Sequence, residues 1–93
     1  MDTIIKTAIK GLNVVKIFKS ESTETLLISL EKEHLLATHV SPKKTLLVLL
    51  EGNIDFYLEK KLINIVKYQT YTFDRNIEHY VKANEDSKFL IIR

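Results

Sequence analysis

The stretch Thr45-Leu46-Leu47-Val48-Leu49-Leu50 constrains this chain more than any other feature. Pro42-Lys43-Lys44 bounds it on one side and Glu51-Gly52 on the other, which leaves it too short for a buried helix. As a strand it is apolar on both faces, so the rest of the chain has to cover both. Only 93 residues are available for that. This is fewer than the ~100 to 200 residues usual for a domain, so the expectation is a single domain, residues 1–93, with no separate catalytic module. An apolar share of 45% and a charged share of 28% suit an ordinary globular chain, and the abundance of Ile, Val and Thr favours strands.

The other segments read as partners for that central strand. Asp2 is placed to cap a first turn, Ile4, Ile5, Ala8, Ile9 and Leu12 recur at helical spacing, and Gly11 suits a C′ position, which predicts a short N-terminal helix. From Asn13 the pattern becomes β-branched and aromatic through Val14-Val15-Lys16-Ile17-Phe18, and it ends in the polar loop Ser20-Glu21-Ser22-Thr23. Leu26, Ile28 and Leu30 alternate with Leu27, Ser29 and Glu31 as a second strand, and residues 34–40 follow as a third. Gly52-Asn53 marks a hairpin turn or a bulge, since both residues tolerate positive φ; Ile54, Phe56 and Leu58 then alternate with Asp55, Tyr57 and Glu59. Lys60-Lys61 is the next turn. Residues 62–67, 70–73, 79–83 and 88–92 complete a run of short strands at close spacing, the pattern of a sandwich or small barrel.

Several functional classes are excluded by what is missing. Fourteen Lys and Arg against twelve Asp and Glu leave a net +2, too small and too interspersed for the basic stripe of a nucleic-acid binder. With no Cys there is no disulfide, thiolate nucleophile or Cys-type zinc site. The only two glycines, Gly11 and Gly52, are too far apart for a phosphate loop. Ser41 has no nucleophile elbow around it. Asp55 and Glu59 share the polar phase of their strand with Tyr57 and read as solvated, and Lys43-Lys44 and Lys60-Lys61 read as solvated turns. The opening residues lack a leader pattern and no apolar run nears the ~18 residues of a membrane span, so a cytoplasmic, non-membrane protein is the expectation.

Two stretches carry a more specific signal. His39-Val40-Ser41-Pro42-Lys43-Lys44-Thr45, followed by the apolar strand and Glu51-Gly52, resembles the first motif of the small single-domain cupins, His-x-His-Pro-x-x-Glu with a terminal Glu-Gly. Asp74-Arg75-Asn76-Ile77-Glu78-His79 occupies the place of the second motif, Pro-x-Gly-x-x-His, and residues 83–90 look like the family's closing hairpin. The resemblance covers about 26–93, with 1–20 as an N-terminal extension. It implies an all-β fold, a cupin-type antiparallel β-barrel of the RmlC-like, double-stranded β-helix or jelly-roll kind, with a short N-terminal helical turn.

The resemblance also implies where a metal would sit. Metal-bearing cupins use two His and one Glu from the first motif and one His from the second; the corresponding residues here are His39, Ser41, Thr45 and His79. Two of the four are hydroxyls, which are poor substitutes for imidazole and carboxylate. The Gly expected ahead of the first His is Glu33, and the Pro and Gly ahead of the last are Asp74 and Asn76; Asn tolerates the left-handed region well. His34 lies at an odd spacing from His39, on the opposite face of an extended strand, and is expected to meet solvent or a partner.

These residues predict a degenerate metal site and no resident cofactor, a weakly held divalent metal on His39 and His79 being the remaining route. The pocket candidates are His39, Ser41, Thr45, Leu47, Phe56, Phe73 and His79, with Leu35 and Ala37 on the side of His39; packed core histidines explain the same list without a ligand. The expected function is a non-catalytic domain that binds or senses a small molecule. The alternatives are a small metal-dependent enzyme of isomerase or dioxygenase type, or a structural interaction module. Leu46, Val48 and Leu50, continued by Leu36 and Val40, form a second apolar row that residues 4–18 or a second copy must cover, so a homodimer is expected.

Overall fold

The computed structural model describes the whole backbone and every side chain except that of His39. One helical turn, α1 (Thr3–Lys6), precedes nine strands: β1 (Leu12–Lys19), β2 (Glu24–Leu30), β3 (Leu35–His39), β4 (Thr45–Glu51), β5 (Asn53–Leu58), β6 (Lys61–Val66), β7 (Thr70–Phe73), β8 (His79–Ala83) and β9 (Ser87–Ile92). They form two antiparallel sheets, one of order β1-β2-β9-β4-β7 and one of order β3-β8-β5-β6. The all-β expectation holds, and most strand bounds fall within a residue or two of those read from the alternation.

The phase of each strand decides the core. Thr45, Leu47 and Leu49 turn inward from β4 and are fully buried, as are Ile54 and Phe56 from β5, Val81 and Ala83 from β8, and Phe89 from β9. Each such Val, Leu, Ile or Phe contributes about 1.5 to 3 kcal/mol by leaving water. Central β4 is covered on one face by the opposite sheet, while its other row, Leu46, Val48 and Leu50, is half-buried.

The N-terminal segment crosses the outer face of the first sheet. Ser29 pairs with Lys88 across β2 and β9, and both side chains reach up to it: Ser29 Oγ donates to the Ala8 carbonyl at 2.7 Å, and Lys88 Nζ donates to the carbonyls of Ile4 at 2.6 Å and Ile5 at 3.3 Å. Lys88 is 6% exposed, so this buried ammonium is satisfied by the carbonyls of α1. Replacing Lys88 with Met is expected to release the segment, with a local loss of about 1 to 2 kcal/mol, while the sheets stay folded. Faster hydrogen exchange at residues 3–8 alone would verify it. The helix is shorter than its spacing suggests, because it ends at Lys6 and Gly11 (φ 62°) instead opens β1. Asp2 makes no capping hydrogen bond; its carboxylate lies 3.6 Å from Lys6 Nζ.

Three connections differ from the expectation. Gly52 (φ 95°) is neither a hairpin nor itself a bulge but the corner at which the chain leaves the first sheet for the second; the register slip lies just before it, between Leu49 and Glu51. Residues 83–90 likewise form a corner and not a closing hairpin, since β8 and β9 belong to different sheets. The β5–β6 turn sits at Glu59-Lys60, with Leu58 paired to Lys61 and Glu59 at φ 54°.

At the edge of the first sheet, Glu24 gathers Lys16 Nζ and Arg93 Nε, each at 3.1 Å. Hydrogen bonds from Lys16, then from Arg93, hold its carboxyl below the ordinary Glu range.

Candidate functional site

The candidate residues converge at one end of the space between the sheets. His79 opens β8 and is buried; its Nδ1 lies 2.9 Å from the Ile77 carbonyl, a contact that places the neutral ring's proton on Nδ1. Phe56 stacks on the imidazole at 5.4 Å and 14°, and Phe73 meets it at 4.6 Å and 57°. Phe56 and Phe73 are themselves 4.9 Å apart, and Tyr71 closes the group at 5.5 Å from Phe56. An imidazole held between two benzyl rings is positioned by packing, because rings in offset or tilted contact resist rotation. Tyr71 was not singled out from the sequence, although it shares the inward phase of β7 with Phe73 and pairs with Leu47.

Ser41 and Thr45 lie in the turn that leads into β4. Both are buried, yet their hydroxyls are directed to the turn itself. Ser41 Oγ and Thr45 Oγ1 each donate to the Lys43 carbonyl at 3.0 Å, and the two oxygens are 3.3 Å apart. Across β4 and β7, Thr45 pairs with Phe73, the residue that contacts His79. Leu47, fully buried, fills the next inward position.

The backbone of β3 departs from simple alternation. Leu36 pairs with Val81, but His39 pairs with His79, so three steps on β3 match two on β8. This extra residue is a β-bulge, and it reverses the side-chain phase partway along the strand. The expected inward placement of Leu35 and Ala37 is therefore incorrect: both are exposed, Leu35 at 54%, whereas Leu36 packs on the core and not on the outer row. Val40 is also exposed. The bulge brings the backbone of His39 into register with His79; the side chain of His39 lies outside the described residues. His34 meets solvent as expected, with Nε2 3.9 Å from Glu31 Oε1.

Two positions where the motifs place Gly keep a glycine-like backbone without the glycine. Glu33 has φ 71° and Asn76 φ 62°. Asn76 N–H donates to the Ser41 carbonyl at 2.8 Å, which ties the second motif to the first. The turns that would present metal ligands are thus in place. The ligand atoms do not fit a four-ligand centre: two are neutral hydroxyls committed to the Lys43 carbonyl. Among the described residues no three His, Asp or Glu side chains gather as a metal site.

Comparison with solved structures places the architecture. A cupin superfamily protein from Desulfitobacterium hafniense superposes with a TM-score of 0.86 at 16% identity, over 95% of this chain and 81% of that one. An RmlC-like cupin with a double-stranded β-helix fold from Methanocaldococcus jannaschii gives 0.83 at 18% identity, over 95% and 83%. KdgF from Halomonas sp. gives 0.82 at 12% identity, over 88% and 76%. No protein-family model matches the sequence, and no curated protein matches it either. The chain has the fold of a small cupin.

Proposed function

We propose that this cupin-fold chain is a non-catalytic domain that binds or senses a small molecule, with a metal position that has degenerated. The observation that carries this reading is the turn of Ser41 and Thr45: in two of the four ligand places stand hydroxyls that donate to the Lys43 carbonyl. Zinc, iron, manganese or nickel held by the remaining residues would need its other ligands from water. The packing of Phe56 and Phe73 on His79 supports a structural role for that imidazole.

Metal analysis of protein purified without chelator is expected to find less than about a tenth of an equivalent of Fe, Mn, Ni or Zn. A stoichiometric metal that disappears in His79→Ala would favour instead a metal-dependent enzyme of isomerase or dioxygenase type using His39 and His79.

A second feature supports a homodimer. Strand β1 lies at the edge of the first sheet and pairs only with β2. Leu12 and Val14 sit opposite Leu30 and Ile28, on the inner face, yet they are 42% and 52% exposed because the facing sheet does not extend over them. Phe18 is exposed as well. This overhang, and not the half-buried row of Leu46, Val48 and Leu50, is the surface left for a second copy. Light scattering at micromolar concentration is expected to give the mass of two chains, and Val14→Lys the mass of one. Wild-type protein at the mass of one chain would overturn the dimer.

A further inference from the structure

The outer face of the second sheet carries a group of side chains that the core does not explain. Phe56 and Val81 face inward, so their neighbours Tyr57 and Tyr80 face outward, and the pairing of β5 with β8 sets the two directly opposite. Their rings stack at 4.2 Å and 6°, nearly parallel. Beside this stack, where β5 and β8 end, Glu59 N–H donates to the Glu78 carbonyl at 3.4 Å and keeps the two acidic residues together. A recess of about 140 Å³ is lined by Thr38, Tyr57, Glu59, Glu78, His79 and Tyr80. It adjoins a wider and more apolar hollow of about 400 Å³ lined by Leu35, Ala37, Thr38 and Tyr80. Thr38 and Tyr80 belong to both, so together they form one groove with an apolar limb and an aromatic, acidic end.

Among the described residues Glu59 and Glu78 are in no ion pair, which they share with Glu21, Glu51, Asp55, Asp74, Glu85 and Asp86; what sets these two apart is that they line one recess beside the tyrosine stack. The lysine on this face of β8, Lys82, is drawn to Glu33 at 3.6 Å, and no Lys or Arg lines either hollow. The near-parallel stack uses one face of each tyrosine ring and leaves the other, and a free negative π face attracts a cation, most strongly one that is poorly hydrated. Two carboxylates beside a tyrosine stack add Coulomb attraction of the same sign. An anion or a neutral apolar group would meet uncompensated carboxylates there. The acidic recess is smaller than the ~300 to 1,000 Å³ of pockets that enclose a whole drug-sized ligand, so it suits a head group, with the stem on Leu35 and Ala37.

We propose that this groove binds a small organic ammonium ion on a short aliphatic stem, its charged head between the Tyr57–Tyr80 stack and the Glu59 and Glu78 carboxylates. The groove opens on the outer face of the second sheet, and His79 is the lining residue that it shares with the interior site.

The test is a titration of the ¹⁵N-labelled full chain with 1,5-diaminopentane and with tetramethylammonium chloride, and with sodium glutarate and sodium chloride at matched ionic strength. Both cations are expected to give saturable shifts at the amides of Thr38, Tyr57, Glu59, Glu78 and Tyr80, with a dissociation constant of about 1 mM or tighter. The double variant Glu59→Gln/Glu78→Gln and the variant Tyr80→Leu are each expected to weaken binding about tenfold with the rest of the spectrum unchanged. Both variants replace exposed or half-exposed side chains, so a spectrum that collapses in one leaves the other to decide. The proposal is overturned if glutarate gives the same shifts, if neither cation saturates below about 50 mM, or if binding is undiminished in the variants that fold. It is equally overturned if only a tri-lysine peptide binds, with shifts running along the free edge of β3, since that would mean a protein partner.

Discussion

Gly52→Ala is expected to destabilise the protein by about 3 to 4 kcal/mol, a large part of the ~5 to 14 kcal/mol available to a domain of this size. The residue sits at φ 95°, a conformation that side chains rarely adopt. A methyl group there would also run into Ser87 Oγ, the Asp86 carbonyl at 2.5 Å and Ser87 Cα at 2.7 Å. None of these can yield easily. Two are backbone atoms, and the third is held, because Ser87 Oγ donates to the Glu85 carbonyl at 2.7 Å and accepts from Asn53 N–H at 3.1 Å. Two corners therefore touch at this point, one from β4 to β5 and one from β8 to β9, and both pass between the sheets. Denaturant unfolding of the variant should show a much lower midpoint with an unchanged slope. A loss below about 1 kcal/mol would mean that the two corners can separate without consequence.

Phe56→Ala is expected to cost about 4 kcal/mol, within the range for removing a phenylalanine from a closed core. Its ring is 1% exposed and touches Tyr71, Phe73 and His79 at once. The truncation also frees one face of the imidazole, so the variant tests what fixes His79. With packing in control, the His79 ring signals should broaden or move while the fold persists, and Phe56→Leu should recover most of the stability. A cost under about 1.5 kcal/mol would indicate that the space between the sheets is already loose there. That outcome would favour an interior cavity for the ligand.

The strand pattern was legible because alternation is a local property. Thr45, Leu47 and Leu49 are inward as their phase requires, and so are Phe56, Phe73, Val81 and Phe89. The position of His79 among aromatic residues followed from the motif placement, with Tyr71 as the omitted member. What the sequence could not disclose was register. The bulge in β3 costs one residue and leaves no Gly or Pro as a mark, yet it reverses the facing of Leu35, Leu36 and Ala37. Nor could alternation tell that Tyr57 would lie across from Tyr80, since that depends on which strands pair. Glu59 is exposed, as expected, but its place beside Glu78 exists only once β5 and β8 are side by side. The corners at Gly52 and at residues 84–86 read as turns but gave no sign of changing sheets. A corner and a hairpin use the same residue types, and long-range pairing decides between them.

The position of β9 sets the order in which this chain can acquire its structure. Ser87–Ile92 is made after every other strand, yet it lies in the middle of the first sheet, hydrogen-bonded to β2 on one side and β4 on the other. During synthesis, β2 can pair with β1 as soon as both have emerged, but Leu26, Ile28 and Leu30 then wait for more than half the chain before their sheet neighbour exists. Closing so long a loop is slow, and the waiting edge of β2 is apolar and open to other chains. The fold is thus completed in one late step, and a ribosome-bound fragment that stops short of residue 87 would present two half-sheets with a gap between them.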